Sequence, residues 1–150
     1  MSLLVNLPLL MLQGDLITLR VRAYNKIGWS AYSDSNTSGV KAEEKPSTPV
    51  ASPILISQAE STITLEMPEI TGQSTGGSEI LSYNLQYNGG GANSNFISLI
   101  GEVPDSLLRT ISKGGLTTNI VYSFRYRVRN KYGWSSGFSP QINVRAATIP

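Results

Sequence analysis

The sequence contains no cysteine and no histidine among its 150 residues. Without cysteine there is no disulfide framework, no thiolate nucleophile and no cysteine-ligated metal site. Without histidine, the Ser-His-Asp triad, histidine metal ligation and proton shuttling near neutral pH are excluded as well. These absences remove most side-chain chemistries that enzymes use. We therefore predict that the chain is not an enzyme, has no catalytic residues, and holds no metal or other cofactor.

The net charge is small, and long apolar runs are few. Twelve Lys and Arg against ten Asp and Glu leave a charge of +2, too small to attract nucleic acid or anionic lipid over the whole surface. The opening MSLLVNLPLLMLQGD is apolar but too short to span a bilayer, and it lacks the basic start and cleavage site of a signal peptide. We expect no nucleic-acid partner and no transmembrane segment, and we interpret this opening as part of a folded domain.

Repetition is the strongest feature that the sequence does have. The stretch RVRAYNKIGWSAYS, residues 20–33, returns as RYRVRNKYGWSSGFS, residues 125–139. Seven of the first eleven aligned positions are identical, at a constant offset of 105. We call these stretches the first motif and the second motif. A long-period repeat of this kind indicates a duplicated structural unit.

Alternation of apolar and polar residues predicts strands along most of the chain. ITLRVRAY, residues 17–24, and YSFRYRVR, residues 122–129, both have the period of two that is typical of a half-buried strand. Further strands are predicted at STITLEM (61–67), ILSYNLQY (80–87), FISLIG (96–101), LLRTIS (107–112) and QINVRA (141–146). No segment of ten or more residues has a clean helical period, so little helix is expected.

A proline-rich segment divides the chain in two. EEKPSTPVASP, residues 43–53, contains three prolines, which restrict the backbone and make this a stiff linker. Seven short strands across about 100 residues, with turns at regular spacing, predict an all-β, two-sheet antiparallel β-sandwich. The predicted core consists of Ile63, Leu65, Tyr83, Leu85, Phe124 and Tyr126.

The order of several short motifs resembles that of a fibronectin type III domain. Pro49 and Pro53 stand at the entry, TITLEMP and GGSEILSYNLQY follow, and Leu116 precedes Tyr122 by six residues. The resemblance implies an immunoglobulin-like sandwich, with one complete domain at residues 46–150. Residues 1–45 resemble the last strands of a preceding, incomplete copy. In the complete copy the resemblance implies a tyrosine corner at Tyr122, whose counterpart in the first copy is Ile17.

The repeated motifs predict a stack of guanidinium groups and aromatic rings. Alternate residues of a strand lie about 6.6 Å apart on one face, which leaves room for an indole between two arginines. WSAYS, residues 29–33, resembles the WSxWS box of class I cytokine receptors. That resemblance implies a ladder in each motif, either as a structural brace or as a partner-binding surface. The candidate residues are Arg20, Arg22 and Trp29 in the first motif, and Arg125, Arg127, Arg129 and Trp134 in the second.

The function expected from this reading is that of a non-catalytic module. The chain is predicted to act as a structural spacer or protein-protein interaction module of a larger multidomain repeat protein, contacting a partner protein or neighbouring repeats. An accessory domain of a multidomain enzyme, such as a polysaccharide-active hydrolase, and the ligand-binding ectodomain of a receptor are alternatives. The resemblance favours an extracellular or cell-surface location and leaves a cytoplasmic one open.

The first 45 residues raise a physical problem of their own. A segment this short exposes an apolar sheet face and rarely folds alone. We expect it to be poorly ordered in isolation or to pair its edges with another chain. Asn36-Thr37-Ser38 in this segment also matches the N-glycosylation pattern.

Overall fold

Two antiparallel β-sheets carry the fold in the computed structural model, which describes residues 11–90 and 95–147. The first ten residues of the apolar opening segment lie outside the described residues. The smaller sheet has three strands in the order β3-β4-β7: β3 (Ile54–Gln58), β4 (Ile63–Glu66) and β7 (Thr110–Lys113).

The larger sheet has the order β10-β8-β5-β6, with the short strand β9 beside β8. Its strands are β5 (Ile80–Asn88), β6 (Phe96–Ile100), β8 (Val121–Asn130), β9 (Gly133–Trp134) and β10 (Ile142–Arg145). A separate hairpin pairs β1 (Tyr24–Asn25) with β2 (Gly28–Trp29). Within the described ranges, the one helical element is a 3-10 turn at Gly72–Thr75, so the prediction of an all-β sandwich is confirmed.

The hydrophobic core lies between these two sheets. Tyr126 and Phe124 of β8 are fully buried, and the aliphatic residues of β4 face them from the smaller sheet. Burial of these side chains is the main favourable contribution to folding. All six predicted core residues are at most 4% exposed: Ile63, Leu65, Tyr83, Leu85, Phe124 and Tyr126.

The pairing of β5 with β8 places polar side chains on the outer face of the larger sheet. Gln86 lies opposite Arg125 and Asn84 lies opposite Arg127, while Leu85 between them faces the core. Because side chains alternate along a strand, this register turns the arginines of the second motif away from the core.

The predicted strand at residues 17–24 is only partly present. Regular strand is confined there to Tyr24–Asn25, although the preceding backbone does bond to residues 30–40. None of the described strands pairs with residues 17–24 as β5 pairs with β8, so the ladder stays irregular. On the bonded side, side-chain oxygens accept from alternate backbone N–H groups. These bonds run from Ala23 N to Ser30 Oγ (3.0 Å), from Val21 N to Ser33 Oγ (3.0 Å) and from Leu19 N to Asn36 Oδ1 (2.6 Å).

The expectation that residues 17–24 are half-buried is wrong for the described part of the chain. Leu19 and Val21 are 68% and 70% exposed, whereas their counterparts Phe124 and Tyr126 are fully buried. No second sheet faces the apolar side of residues 17–24 within residues 11–90 and 95–147. The same alternation therefore produces a core strand in the second motif and an open apolar face in the first.

Candidate functional site: the arginine–aromatic ladders

Aromatic rings and guanidinium groups alternate along the outer face of β8. The Arg125 guanidinium carbon lies 3.9 Å from the ring centres of both Phe96 and Phe138. Arg127 follows, 4.9 Å from Phe138 and 4.5 Å from Trp134. Rings at these distances attract a guanidinium through their negatively charged faces, by about 0.5–1 kcal/mol where solvent has access and more where it is excluded.

The receptor resemblance implies that Trp134 pairs with Arg125 and Arg127, and the stack differs from this. Arg125 contacts two phenylalanines, and the indole of Trp134 lies over Arg127 and, at 5.7 Å, over Arg129. Two features explain the difference. Trp134 pairs with Arg129 in the β8–β9 ladder, which sets the indole at that end of the strand. Phe138 then occupies the space between Arg125 and Arg127.

Two amide side chains of β5, the strand paired with β8, bond to the arginines of this stack. Gln86 Oε1 accepts hydrogen bonds from Arg125 Nε (3.2 Å) and Nη2 (3.1 Å). Asn84 Oδ1 accepts one from Arg127 Nε at 3.2 Å. Asn84 and Gln86 are buried, so these amide–guanidinium bonds are shielded from water and stronger than exposed ones.

Carboxylates neutralise two of the three arginines. Glu102 forms an ion pair with Arg127 at 2.9 Å, and Asp105 forms one with Arg129. Arg125 has no carboxylate partner among the described residues. The pKa of Arg125 is lowered, mainly because burial desolvates the guanidinium and also because the charge of Arg127 is nearby. Arg125 is therefore held by amide and aromatic contacts alone.

Two serines of the second motif bind the backbone of β8, a role that the sequence reasoning missed. Ser135 N donates to Val128 O, and Ser135 Oγ accepts from Val128 N at 3.4 Å. Ser139 repeats the pattern with Tyr126, where Ser139 Oγ accepts from Tyr126 N at 3.0 Å. Both serines are buried. The signal was present, because the first motif also has a serine after its tryptophan and another three positions later.

The first motif builds a similar but uncovered stack. Arg22 lies 4.3 Å from the Trp29 ring and 4.8 Å from the Tyr32 ring. Arg20 contacts Tyr32 at 5.2 Å, so the implied pairing of Arg20 with Trp29 is replaced by one with Tyr32. Trp29 is 59% exposed and Tyr32 is 54% exposed. This ladder stands in solvent, unlike the one over β8.

Two other candidate positions have defined contacts. The phenol oxygen of buried Tyr122 accepts a hydrogen bond from Thr117 N at 2.9 Å, which ties β8 to the turn before it. The side chain of Asn36 is engaged on both ends, because its Oδ1 accepts from Leu19 N and its Nδ2 donates to Ile17 O at 3.0 Å. The same nitrogen also donates to Ser38 O at 3.0 Å, so a glycan, which replaces one of its two hydrogens, would displace one of these two bonds.

The described residues contain no cluster of three His, Asp or Glu side chains that is placed to hold a metal ion. Glu66 and Glu69 both face Arg109, at 3.5 and 3.6 Å. Among these residues no helix has the length and apolar character needed to cross a membrane.

Comparison with known proteins gives matches at the level of structure. No protein-family model matches the sequence, and no curated protein matches it. Domains A168–A170 of titin superpose with a TM-score of 0.58 at 19% identity, covering 83% of this chain and 38% of the titin fragment.

Two further structures agree with the titin match. The fibronectin type III domain of human fibronectin type III domain containing protein 3 has a TM-score of 0.56 at 21% identity, covering 76% of this chain and 94% of that domain. The FN1–FN3 domains of chicken CNTN1 give 0.51 at 15% identity, covering 87% of this chain and 42% of that fragment. With its two antiparallel sheets, buried core and outward arginines, the chain has the fold of a fibronectin type III domain.

Proposed function

We propose that the chain is a non-catalytic spacer and protein-interaction module of a larger multidomain protein, which holds neighbouring units at a set orientation. The fold that it shares with domains of titin supports a modular role. The observation that carries the proposal is a set of contacts with the sandwich, made by residues 13–14 and by residues 42–47 at the start of the linker. We call this set the junction.

Backbone and side-chain hydrogen bonds attach the linker to two loops of the sandwich. Glu44 N donates to Gly76 O at 2.8 Å, and Ser47 N donates to Ser74 O at 3.0 Å. Asn130 Nδ2, at the end of β8, donates to Glu44 O at 2.6 Å. Each bond fixes backbone that would otherwise be free, and together they stop the linker from swinging.

The segment before the linker contacts the same loop. Gly14 N donates to Ala42 O at 2.7 Å, and Gln13 N donates to Gln73 Oε1 at 2.9 Å. A side chain at Gly77 would place its Cβ 2.3 Å from Gly14 N, so the two backbones meet at a distance that only glycine allows. The first motif is therefore joined to the sandwich by direct contact as well as by the chain.

A charged cluster adds to the junction. Glu43 accepts from Lys131 Nζ at 2.6 Å and from the Tyr132 hydroxyl at 2.9 Å. The hydrogen bond from Lys131 and then the one from Tyr132 lower the pKa of Glu43, and the bond to Glu43 raises the pKa of Lys131. Both groups are thus charged near neutral pH. Lys131 is 55% exposed and Glu43 is 15% exposed. An ion pair at the surface contributes little stability, so its effect is mainly on orientation.

The linker prolines are packed against the sandwich. Pro46, Pro49 and Pro53 are all buried, and each has a fixed φ angle. A linker that is both proline-rich and packed keeps the units on its two sides in a fixed relative orientation, whereas a glycine-serine linker would not.

The spacer proposal predicts a narrow distribution of distances across the junction. Because the chain has no cysteine, spin labels can be placed at Lys26→Cys and Thr110→Cys without other changes. Pulsed electron spin resonance on the full chain should give one narrow peak. Gly77→Ala should broaden it, since the added Cβ meets backbone atoms of residues 13, 14 and 42.

Gly115→Ala is the matched control, because its φ of 68° is close to the 74° of Gly77 and a Cβ there meets nothing within 4 Å. It should leave the peak unchanged. A broad distribution in the parent chain, covering the range of a flexible tether, would contradict the proposal.

A further inference from the structure

Two turns of the chain have the same backbone structure. The junction turn, residues 12–15, lies in the junction, and the far turn, residues 117–120, precedes β8 at the opposite end of the sandwich. A hydrogen bond from the N–H of the fourth residue to the carbonyl of the first closes each turn, at 3.1 and 3.3 Å. The third residue of each has a positive φ, 91° at Gly14 and 68° at Asn119, as in a type II turn.

Each of these turns is bonded to an alanine on the chain beside it. Gly14 N donates to Ala42 O at 2.7 Å, and Asn119 N donates to Ala146 O at 2.6 Å. Each alanine donates in return to the fourth residue of its turn, at 2.8 and 2.9 Å. The two turns are therefore counterparts, position by position, at the offset of 105 that relates the two motifs.

The junction turn holds the loop between β4 and β5 of the sandwich. Gln73 of that loop bonds to both backbone groups of Gln13: its Oε1 accepts from Gln13 N at 2.9 Å, and its Nε2 donates to Gln13 O at 3.3 Å. Gly77 of the same loop lies against Gly14, where any Cβ on Gly77 would meet Gly14 N at 2.3 Å. One amide side chain and one glycine thus dock the sandwich on this turn.

The far turn has the same backbone groups available. Thr118 is the counterpart of Gln13, and its backbone N–H and C=O have no hydrogen-bond partner within residues 11–90 and 95–147. Thr118 and Asn119 are exposed, whereas Gln13 and Gly14 are partly buried by the loop that they hold. The far turn is thus in the state that the junction turn would have without its loop.

Asparagine in place of glycine at the third position of the far turn still leaves room for such a loop. A Cβ at Gly14 would lie 3.7 Å from the Cα of Gly77, which is ordinary van der Waals contact. The rest of the Asn119 side chain is engaged by Arg145, whose Nη1 donates to Asn119 Oδ1 at 2.9 Å. The space beside Asn119 therefore suits a facing glycine, which adds no side chain of its own.

We propose that the far turn is a docking surface for a further unit of the same fold, held as the junction turn holds this sandwich. The loop between the second and third strands of that unit carries a glutamine and a glycine, placed as Gln73 and Gly77 are here. The glutamine bonds to the backbone of Thr118, and the glycine packs on Asn119. The inference rests on the proposed spacer function and adds to it a second contact surface and the kind of loop that fits there.

The test uses a chain with a second sandwich appended. A copy of residues 43–147 is placed directly after Ala146, just as Glu43 follows Ala42 in the parent chain. The appended sandwich brings its own loop to the far turn of the first. With spin labels at Thr110→Cys in both sandwiches, pulsed electron spin resonance should give one narrow distance peak.

Variants of the appended loop test the glycine contact. Gly77→Ala in the appended sandwich alone should replace the narrow peak by the broad distribution of a flexible tether, because the added Cβ would overlap the far turn. Gly115→Ala in the same sandwich has a similar φ and open space around its Cβ, so it should leave the peak unchanged.

Variants of Thr118 in the first sandwich test the far turn itself. Thr118→Pro removes the N–H that the appended Gln73 needs, while proline suits the second position of a type II turn, so the turn is kept and the peak should broaden. Thr118→Ala is the matched control: it loses the same hydroxyl, which donates to Glu60 O at 3.1 Å, but keeps the backbone N–H. It should leave the peak narrow.

Two results would overturn this proposal. One is a broad distribution between the two sandwiches, and the other is a narrow peak that neither Gly77→Ala nor Thr118→Pro broadens. The distance from Lys26→Cys to Thr110→Cys in the parent chain separates this failure from that of the spacer function. If that distance stays narrow, only the docking surface is wrong, whereas broad distributions in both chains would contradict the spacer function as well.

Discussion

At the scale of single residues, two serine hydroxyls attach the end of the second motif, residues 135–139, to β8. Ser135 and Ser139 replace backbone carbonyls as acceptors for Val128 N and Tyr126 N. Because these backbone groups are buried, each needs a partner, and a small hydroxyl fits where a carbonyl does not reach. Tyr126 itself is held neutral, since burial, with a contribution from Tyr83, raises its pKa to about 12.

Ser139→Ala should therefore destabilise the fold by about 1–3 kcal/mol, the cost of leaving a buried N–H without a partner. Ser136→Ala is the matched control, because Ser136 is exposed and its hydroxyl bonds only to the exposed Thr48 hydroxyl. It should change the free energy of unfolding by less than about 0.5 kcal/mol. Chemical denaturation of both variants decides the point, and equal effects would show that the hydroxyl of Ser139 is dispensable.

At the scale of elements, the same ladder motif has different surroundings in its two copies. Trp134 is half-buried over Arg127 and Arg129, on a sheet face that Asn84 and Gln86 complete. Trp29 stacks on Arg22 but stays largely in solvent. Cation–π contacts are stronger where water is excluded, so the two indoles should differ in their contribution to stability.

Trp134→Ala should lower the free energy of unfolding by roughly 1–3 kcal/mol through lost stacking and burial. Trp29→Ala should lower it by less than about 0.5 kcal/mol, the usual range for a surface substitution. Thermal or denaturant unfolding of the full chain measures both. An unchanged melting curve for Trp134→Ala, or equal losses in the two variants, would show that the second ladder is not a structural brace.

The strands that face the core could be predicted from the sequence, while the residues of other strands that contact the arginine–aromatic ladder could not. The alternating pattern predicts that Phe124 and Tyr126 face the core, and both are buried there, because burying their rings contributes more free energy than local backbone preferences do. Phe96 and Gln86 reach the ladder from neighbouring strands, about 30 to 40 residues away in sequence, and no local pattern reports such pairing. The strand prediction at 17–24 was only partly right because none of the described strands pairs with these residues as β5 pairs with β8.

At the scale of the whole molecule, burial and not sequence similarity separates the two motifs. Counterpart positions such as Val21 and Tyr126 differ from 70% exposed to fully buried, although both lie between alternating arginines. The second motif is part of a closed sandwich, and the first is joined to that sandwich through Gly14 and the linker. Cooperative stability should therefore be concentrated in the sandwich.

Amide hydrogen exchange on the dilute, monomeric full chain tests this account most directly. The amides of Tyr126 and Val128 should exchange only on global unfolding, and those of Val21 and Ala23 should exchange by local opening at least about 100-fold faster. Slow exchange throughout residues 17–24, matching that of β8, would contradict the account, because the first motif would then be as firmly folded as the second.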